Sequence, residues 1–155
     1  MTIRTVQFLA LVASALALVP SGAHLAAMPN KIGLPQTEYF IVQGIYEGWA
    51  LLGALWPAAI FLNGALAVLV RSQRWPFRLA LLAAFCFALM LAIFFLWTFP
   101  ANAATRNWTS VPADWEALRR QWEYSHAMNS LLALLALCSV AGSVLWWKPP
   151  TRDGR

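Results

Sequence analysis

A chain of 155 residues that is 61% hydrophobic and 11% charged, with a mean hydropathy of +0.61, departs from soluble domains, which are roughly 45–50% apolar and about 25% charged. It reads as a membrane protein with room for four spans of ~20 residues and for no separate soluble catalytic domain. The net charge of +5 is scattered between apolar runs rather than gathered in a stripe, which excludes nucleic acid as a partner; Cys86 and Cys138 stand singly in apolar runs, which excludes a CxxC redox motif or a thiolate cluster.

The first span is predicted at residues 5–27, after Arg4. Its end, Pro20-Ser21-Gly22-Ala23, also fits a signal-peptidase site. Cleavage after Ala23 would leave His24 as a free N-terminus able to chelate copper through amine and imidazole. Both readings stay open, and the segment is taken as a retained helix. Pro35 and Thr37 make a helix start, and the second span is predicted as one helix over 38–70, ~50 Å long at 1.5 Å per residue, with its first turns beyond the membrane or tilted. A basic turn from Arg71 to Arg78 leads into the third span, 77–99, after which Pro100 opens a polar stretch to Val111. The fourth span is predicted over 112–147, with Asp114 and Glu116 in a first turn where the helix dipole favours negative charge. It is amphipathic as far as His126.

Charge sets the expected orientation. Arg4, Arg71, Arg74, Arg78, Lys148, Arg152 and Arg155 against Asp153 give one face +6; Lys31, Arg106, Arg119 and Arg120 against Glu38, Glu47, Asp114, Glu116 and Glu123 give the other −1. The positive-inside rule then puts both termini in the cytoplasm, with the protein multi-pass in an inner (cytoplasmic) membrane. The fold expected is an all-α, antiparallel four-helix transmembrane bundle forming one domain, with a short extracytoplasmic cap.

Ionisable groups in or beside spans point to function when they meet one another. His24 lies 20 residues from Arg4, Glu47 23 from Val70, Asn102 24 from Arg78 and His126 21 from Trp147, so all four fall ~30–36 Å from the basic face. Gln43 and Glu47 share a helix face, as do Arg119, Glu123, His126 and Asn129. The Glu123-x-x-His126 step resembles those that supply metal ligands in helical bundles. A single iron or copper held by His24, His126 and one of Glu47 or Glu123 would match the two-histidine, one-carboxylate set; haem b between His24 and His126 is an alternative cofactor. Structural readings stand beside these: Glu123 paired with Arg119 and Glu116 with Arg120, Glu47 in a helix-to-helix hydrogen bond, and Asn63, ~160° out of phase with Glu47, bridging helices. Most tryptophans suit an interfacial belt, while Trp108, Trp115 and Trp122 could roof an apolar pocket and hold a cofactor.

The stretch Pro100-Ala101-Asn102, Trp108, Pro112, Asp114, Trp115, Leu118, Arg119, Trp122, Glu123, His126 resembles the anthrone oxygenase-like family of small four-span membrane proteins. Across the first two spans only the pattern is similar. The resemblance implies oxidation of an anthrone-type polyketide to an anthraquinone with molecular oxygen, hence a lipophilic phenolic substrate. Asn129 stands where a basic residue is expected shortly after the histidine, a departure that bears on substrate identity. The function expected is therefore a membrane oxidoreductase acting on a lipophilic aromatic or quinone-like compound. In it His126 serves as general base, Glu123 as a further acid or base group, and Arg119 or Asn102 as oxyanion holder. The partners expected are that small molecule and membrane lipid, with self-association into a homo-oligomer left open. The other classes are a haem- or metal-carrying electron-transfer protein and a non-catalytic accessory subunit.

Overall fold

The computed structural model describes residues 2–149; Arg152, Asp153 and Arg155 of the charge split lie outside the described residues. Within them the chain is all-helical, without strands. Six α-helices follow one another: α1 (Ile3–Lys31), α2 (Gln36–Gln43), α3 (Leu55–Leu69), α4 (Arg74–Ile93), α5 (Phe99–Ala104) and α6 (Trp115–Trp146). The long ones close a four-membered ring in which α1 and α4 each pack against both α3 and α6. Four stretches, Ile3–Lys31, Trp49–Leu69, Arg74–Ala104 and Trp115–Trp146, are long and apolar enough to cross a membrane, the make-up of a multi-pass membrane protein.

Small residues line the helix contacts. Ala10, Ala17, Ala59, Ala80, Ala83, Ala133 and Ala136 are fully buried, with Leu66, Phe87 and Met90 filling the space between. Where lipid is as apolar as a leucine side chain, close backbone approach over small residues and hydrogen bonds across helices hold a bundle together. Both occur here. Asn63 Nδ2 donates to Ser14 Oγ at 3.1 Å and to Ala59 O at 2.9 Å, the bridging role expected of it; Ser143 Oγ donates to Pro76 O at 2.7 Å. Large apolar side chains such as Phe8, Phe61, Phe85 and Leu145 face outward. Cys86 is buried and Cys138 exposed, and both are free thiols.

The last helix starts at Trp115 rather than 112, so that Asp114 is its N-cap and Glu116 alone is acidic in its first turn; three further boundaries differ from expectation, each for a local reason. The helix begun at Ile3 runs through Pro29 to Lys31, one turn beyond residue 27, and carries Lys31 into the bundle. The predicted single helix over 38–70 is broken. After α2 come two 3-10 stretches, Gly44–Tyr46 and Trp49–Ala54, with Gly48 between them at φ +79°, a conformation that glycine adopts freely and L side chains resist. The third helix, by contrast, does not stop at Phe99. A π-helical turn over Phe94–Thr98 precedes Pro100, which sits at the start of α5. Proline offers no N–H to the preceding turn, and the wider turn together with Gln121 Nε2, which donates to Trp97 O at 2.7 Å, re-satisfies freed carbonyls as membrane helices commonly do.

Candidate functional site

The break at Gly48 decides what assembles. Because the helix is interrupted there, counting residues from Val70 no longer gives a depth or a face for Glu47, and its side chain is exposed. Glu47 is thus no member of a buried cluster, either as a metal ligand or in a helix-to-helix hydrogen bond. The other three residues expected at that level do converge. The His24 and His126 rings stack with centroids 4.0 Å apart and planes at 21°. Tyr46 packs on His24 at 4.3 Å, Trp49 at 5.5 Å and Trp122 at 5.0 Å, while Trp122 also meets His126 at 4.2 Å. Asn102 stands behind them, its Oδ1 accepting from Trp122 Nε1 at 2.8 Å and from Trp108 Nε1 at 3.2 Å.

Beside the imidazoles lies a buried charge network. Lys31 Nζ is 3.1 Å from Glu123 Oε1, both side chains at least 97% buried, and it rests 4.5 Å from the ring centres of both Tyr46 and Trp122. Tyr39 O–H donates to the same Oε1 at 2.8 Å, and Gln43 Nε2 donates to the Tyr39 oxygen. Glu123 therefore pairs with Lys31 of α1 rather than with Arg119, one turn away on its own helix. Arg119 instead donates through Nη1 to Leu34 O at 2.8 Å and lies over the rings of Trp115 and Tyr39 at 4.6 and 5.3 Å. The Glu116–Arg120 pair forms at 3.8 Å on the exposed face.

The three tryptophans expected as a roof belong to this end of the bundle. Trp108 and Trp122 are buried with Tyr39, and Trp115 packs against them with Phe40 and Leu118. Trp108 is delivered by an unusual turn. Arg106, Asn107 and Trp108 all have positive φ, 48°, 54° and 65°, a left-handed path costing roughly 1–2 kcal/mol per residue. The bonds that hold it run back to α5: Asn107 N–H to Asn102 O at 2.7 Å, Trp108 N–H to Thr105 Oγ1 at 3.1 Å, and the indole to Asn102. Asn102 thus clamps two indoles and the strained turn. We expect Asn102→Leu, which removes the shared acceptor, to cost about 1–3 kcal/mol per orphaned indole N–H; unfolding in detergent followed by tryptophan fluorescence checks this, and an unchanged midpoint would contradict the clamp.

The two tyrosines outside the spans are held in their protonated forms. Burial, reinforced by the Glu123 carboxylate, pushes Tyr39 far up, and the same two causes in the same order push Tyr46 up to about 12. Both phenols are therefore hydrogen-bond donors across the physiological range. With the folded value above the unfolded one near 10, the unfolded chain sheds this proton first, so stability is complete below about pH 10 and falls as pH rises towards 12. Tyr46→Phe is expected to flatten that decline, measured as the unfolding midpoint against pH; an equal decline in the variant would contradict it.

A metal or haem fits this arrangement poorly. Nitrogen lone pairs lie in the imidazole plane, so two rings stacked face to face cannot aim them at one ion, and centroids 4.0 Å apart leave no layer for a porphyrin between axial ligands. Glu47 is exposed, and Glu123 is engaged by Lys31 and Tyr39. Among the described residues no group of three or more His, Cys, Asp or Glu side chains is placed to hold a metal ion. The expected ligand set His24, Glu47, Glu123 and His126 is therefore not assembled, and no step is derived through it.

Among the described residues ten buried side-chain N and O atoms lack a hydrogen-bond partner, and six of them belong to this one cluster: His24 Nδ1, Gln43 Oε1, Tyr46 Oη, Arg119 Nε, Glu123 Oε2 and, its ion pair with Glu123 apart, Lys31 Nζ. Since buried polar atoms are nearly always satisfied, this concentration marks the cluster as the place where the fold leaves polar capacity for something else. Sequence reasoning missed Lys31 and Tyr39. The available signal was the seven-residue step from His24 to Lys31, two helical turns on one face, and the four-residue step from Tyr39 to Gln43. Two grooves of about 480 and 530 Å³ flank the cluster, one between α2 and the left-handed turn (Phe40, Trp108, Val111) and one beside the π turn (Trp97, Tyr124, Met128). Neither is lined by the histidines, which lie behind Tyr46, Trp49 and Trp122. No protein-family model, curated protein or solved structure matches the chain.

Proposed function

We propose that this chain is an anthrone oxygenase-like membrane enzyme that oxidises a lipophilic, planar phenolic compound with molecular oxygen at the extracytoplasmic end of its bundle. The observation that carries this reading is the stacked pair His24 and His126, walled by aromatic rings and set against the Lys31–Glu123–Tyr39 network. The resemblance of the Pro100–His126 stretch supports the substrate class. In such a reaction an activated methylene between two aromatic rings loses both hydrogens and gains one oxygen atom of O2, the other leaving as water. The balance needs no external electron donor.

His126 acts as the base that takes the first proton from the methylene carbon, and His24, stacked upon it, fixes the orientation of the ring. The wall of indole and phenol rings gives a planar substrate a face to lie on and keeps water from the carbanion. Tyr46 and Trp49, on 3-10 turns either side of Gly48, form the side of that wall next to the helix break. Asn102 and Arg119 act here as positioning residues, one through Trp122 and the other through Leu34 and Tyr39.

Both termini are cytoplasmic in this account, by the +6 against −1 charge split, and reporter fusions after Arg155 and between Ala101 and Val111 should report opposite sides of the membrane. The enzymatic reading is tested by giving the purified protein in lipid nanodiscs an anthrone-type substrate: the quinone chromophore should grow with protein concentration. Quinone formation no faster than in lipid alone would refute it.

A further inference from the structure

Lys31 has more donor capacity than its surroundings use. Its ammonium carries three N–H groups, and its nitrogen, on a residue only 2% exposed, lies 3.1 Å from one carboxylate oxygen, Glu123 Oε1, which engages one of the three. It also rests over the faces of Tyr46 and Trp122. Those are the rings that touch His24 and His126, so the cation and the imidazoles share one aromatic enclosure. The local charge is also uneven. Lys31 and Arg119 face Glu123 across Tyr39, two cations against one carboxylate, while Glu38 and Glu47 are exposed.

We infer that Lys31 is the oxyanion-binding residue of this site, taking the ionised phenolic or enolic oxygen of a planar aromatic ligand into the unused donors of its ammonium beside the histidine pair. The inference rests on the proposed function and deepens it by assigning the residue that recognises the phenol, bound as its monoanion. The phenolic proton goes to bulk water before binding; Lys31 keeps its three protons and Glu123 its bond from Tyr39. One negative charge then balances the surplus positive charge of the enclosure.

The test uses a planar hydroxyanthraquinone ionised at the assay pH and its uncharged O-methyl ether, titrated into the full-length protein in nanodiscs by quenching of tryptophan fluorescence. Because Lys31→Met alone strands Glu123 as a buried charge, the diagnostic variant is Lys31→Met/Glu123→Gln, with Lys31→Arg as the conservative control. Expected are binding of the phenol by the wild type, loss of at least about tenfold in its affinity in the double variant, retention of the ether within about twofold, and partial recovery of the phenol in Lys31→Arg. If phenol and ether both bind and the double variant weakens neither or both alike, Lys31 recognises no oxyanion although the aromatic site stands. If neither compound binds the wild type, the aromatic site and the inference fall together.

Discussion

Glu123→Gln, with Lys31 left in place, is expected to destabilise the protein by about 3–5 kcal/mol, the cost of stranding one charge of a buried pair. Both partners are almost wholly removed from solvent, 3.1 Å apart, and among the described residues no other carboxylate is buried to replace the lost one. Glutamine keeps an oxygen for the Tyr39 hydroxyl, so the loss reports the charge rather than the hydrogen bond. Removing both charges together, in Lys31→Met/Glu123→Gln, should recover most of the stability, because a neutral pair of similar size owes no desolvation cost. Unfolding in detergent, followed by near-ultraviolet circular dichroism of the tryptophans, measures both; a double variant as unstable as the sum of the single ones would deny the coupling.

The second large effect concerns the histidines. His126→Ala is expected to lower quinone formation by about 10²- to 10⁴-fold, the range over which a positioned general base contributes. His24→Ala should lower it as well, since His126 then loses the ring stacked on it at 4.0 Å. Arg119→Ala should be milder, about tenfold or less, because its guanidinium reaches the Leu34 carbonyl and aromatic faces but neither imidazole. Added chelators should leave the rate unchanged, given that the rings do not aim their lone pairs at a common point. Equal rates in wild type and His126→Ala would remove the base from the account.

Much of the architecture is legible in the residues themselves. Four apolar runs separated by proline and charge suffice to call a four-helix all-α chain, because backbone groups in an apolar surrounding must satisfy each other along the helix. The depth count also succeeds for His24, Asn102 and His126, as each lies on a helix that runs unbroken from the residue where the count begins, the π turn included. It fails for Glu47 because Gly48 lets the chain turn where hydrophobicity alone reads straight through. The partners of Glu123 were illegible for another reason. A helix offers Arg119 at the four-residue spacing, but only the extension of α1 to Lys31 and the fold of α2 over the end of the bundle bring Lys31 and Tyr39 to the buried oxygen. Local spacing names neighbours on one helix; the ring of helices chooses among them.

The central claim, that a planar aromatic compound is held at the histidine end of the bundle, is tested most directly by photolabelling. A photoreactive hydroxyanthraquinone, irradiated with the protein in nanodiscs and located by mass spectrometry, should attach to peptides containing Tyr46, Trp49 or Trp122 and be displaced by excess unlabelled compound. Labelling confined to the exposed tryptophans of the opposite end, Trp75 and Trp146, or labelling that excess compound does not displace, would contradict it.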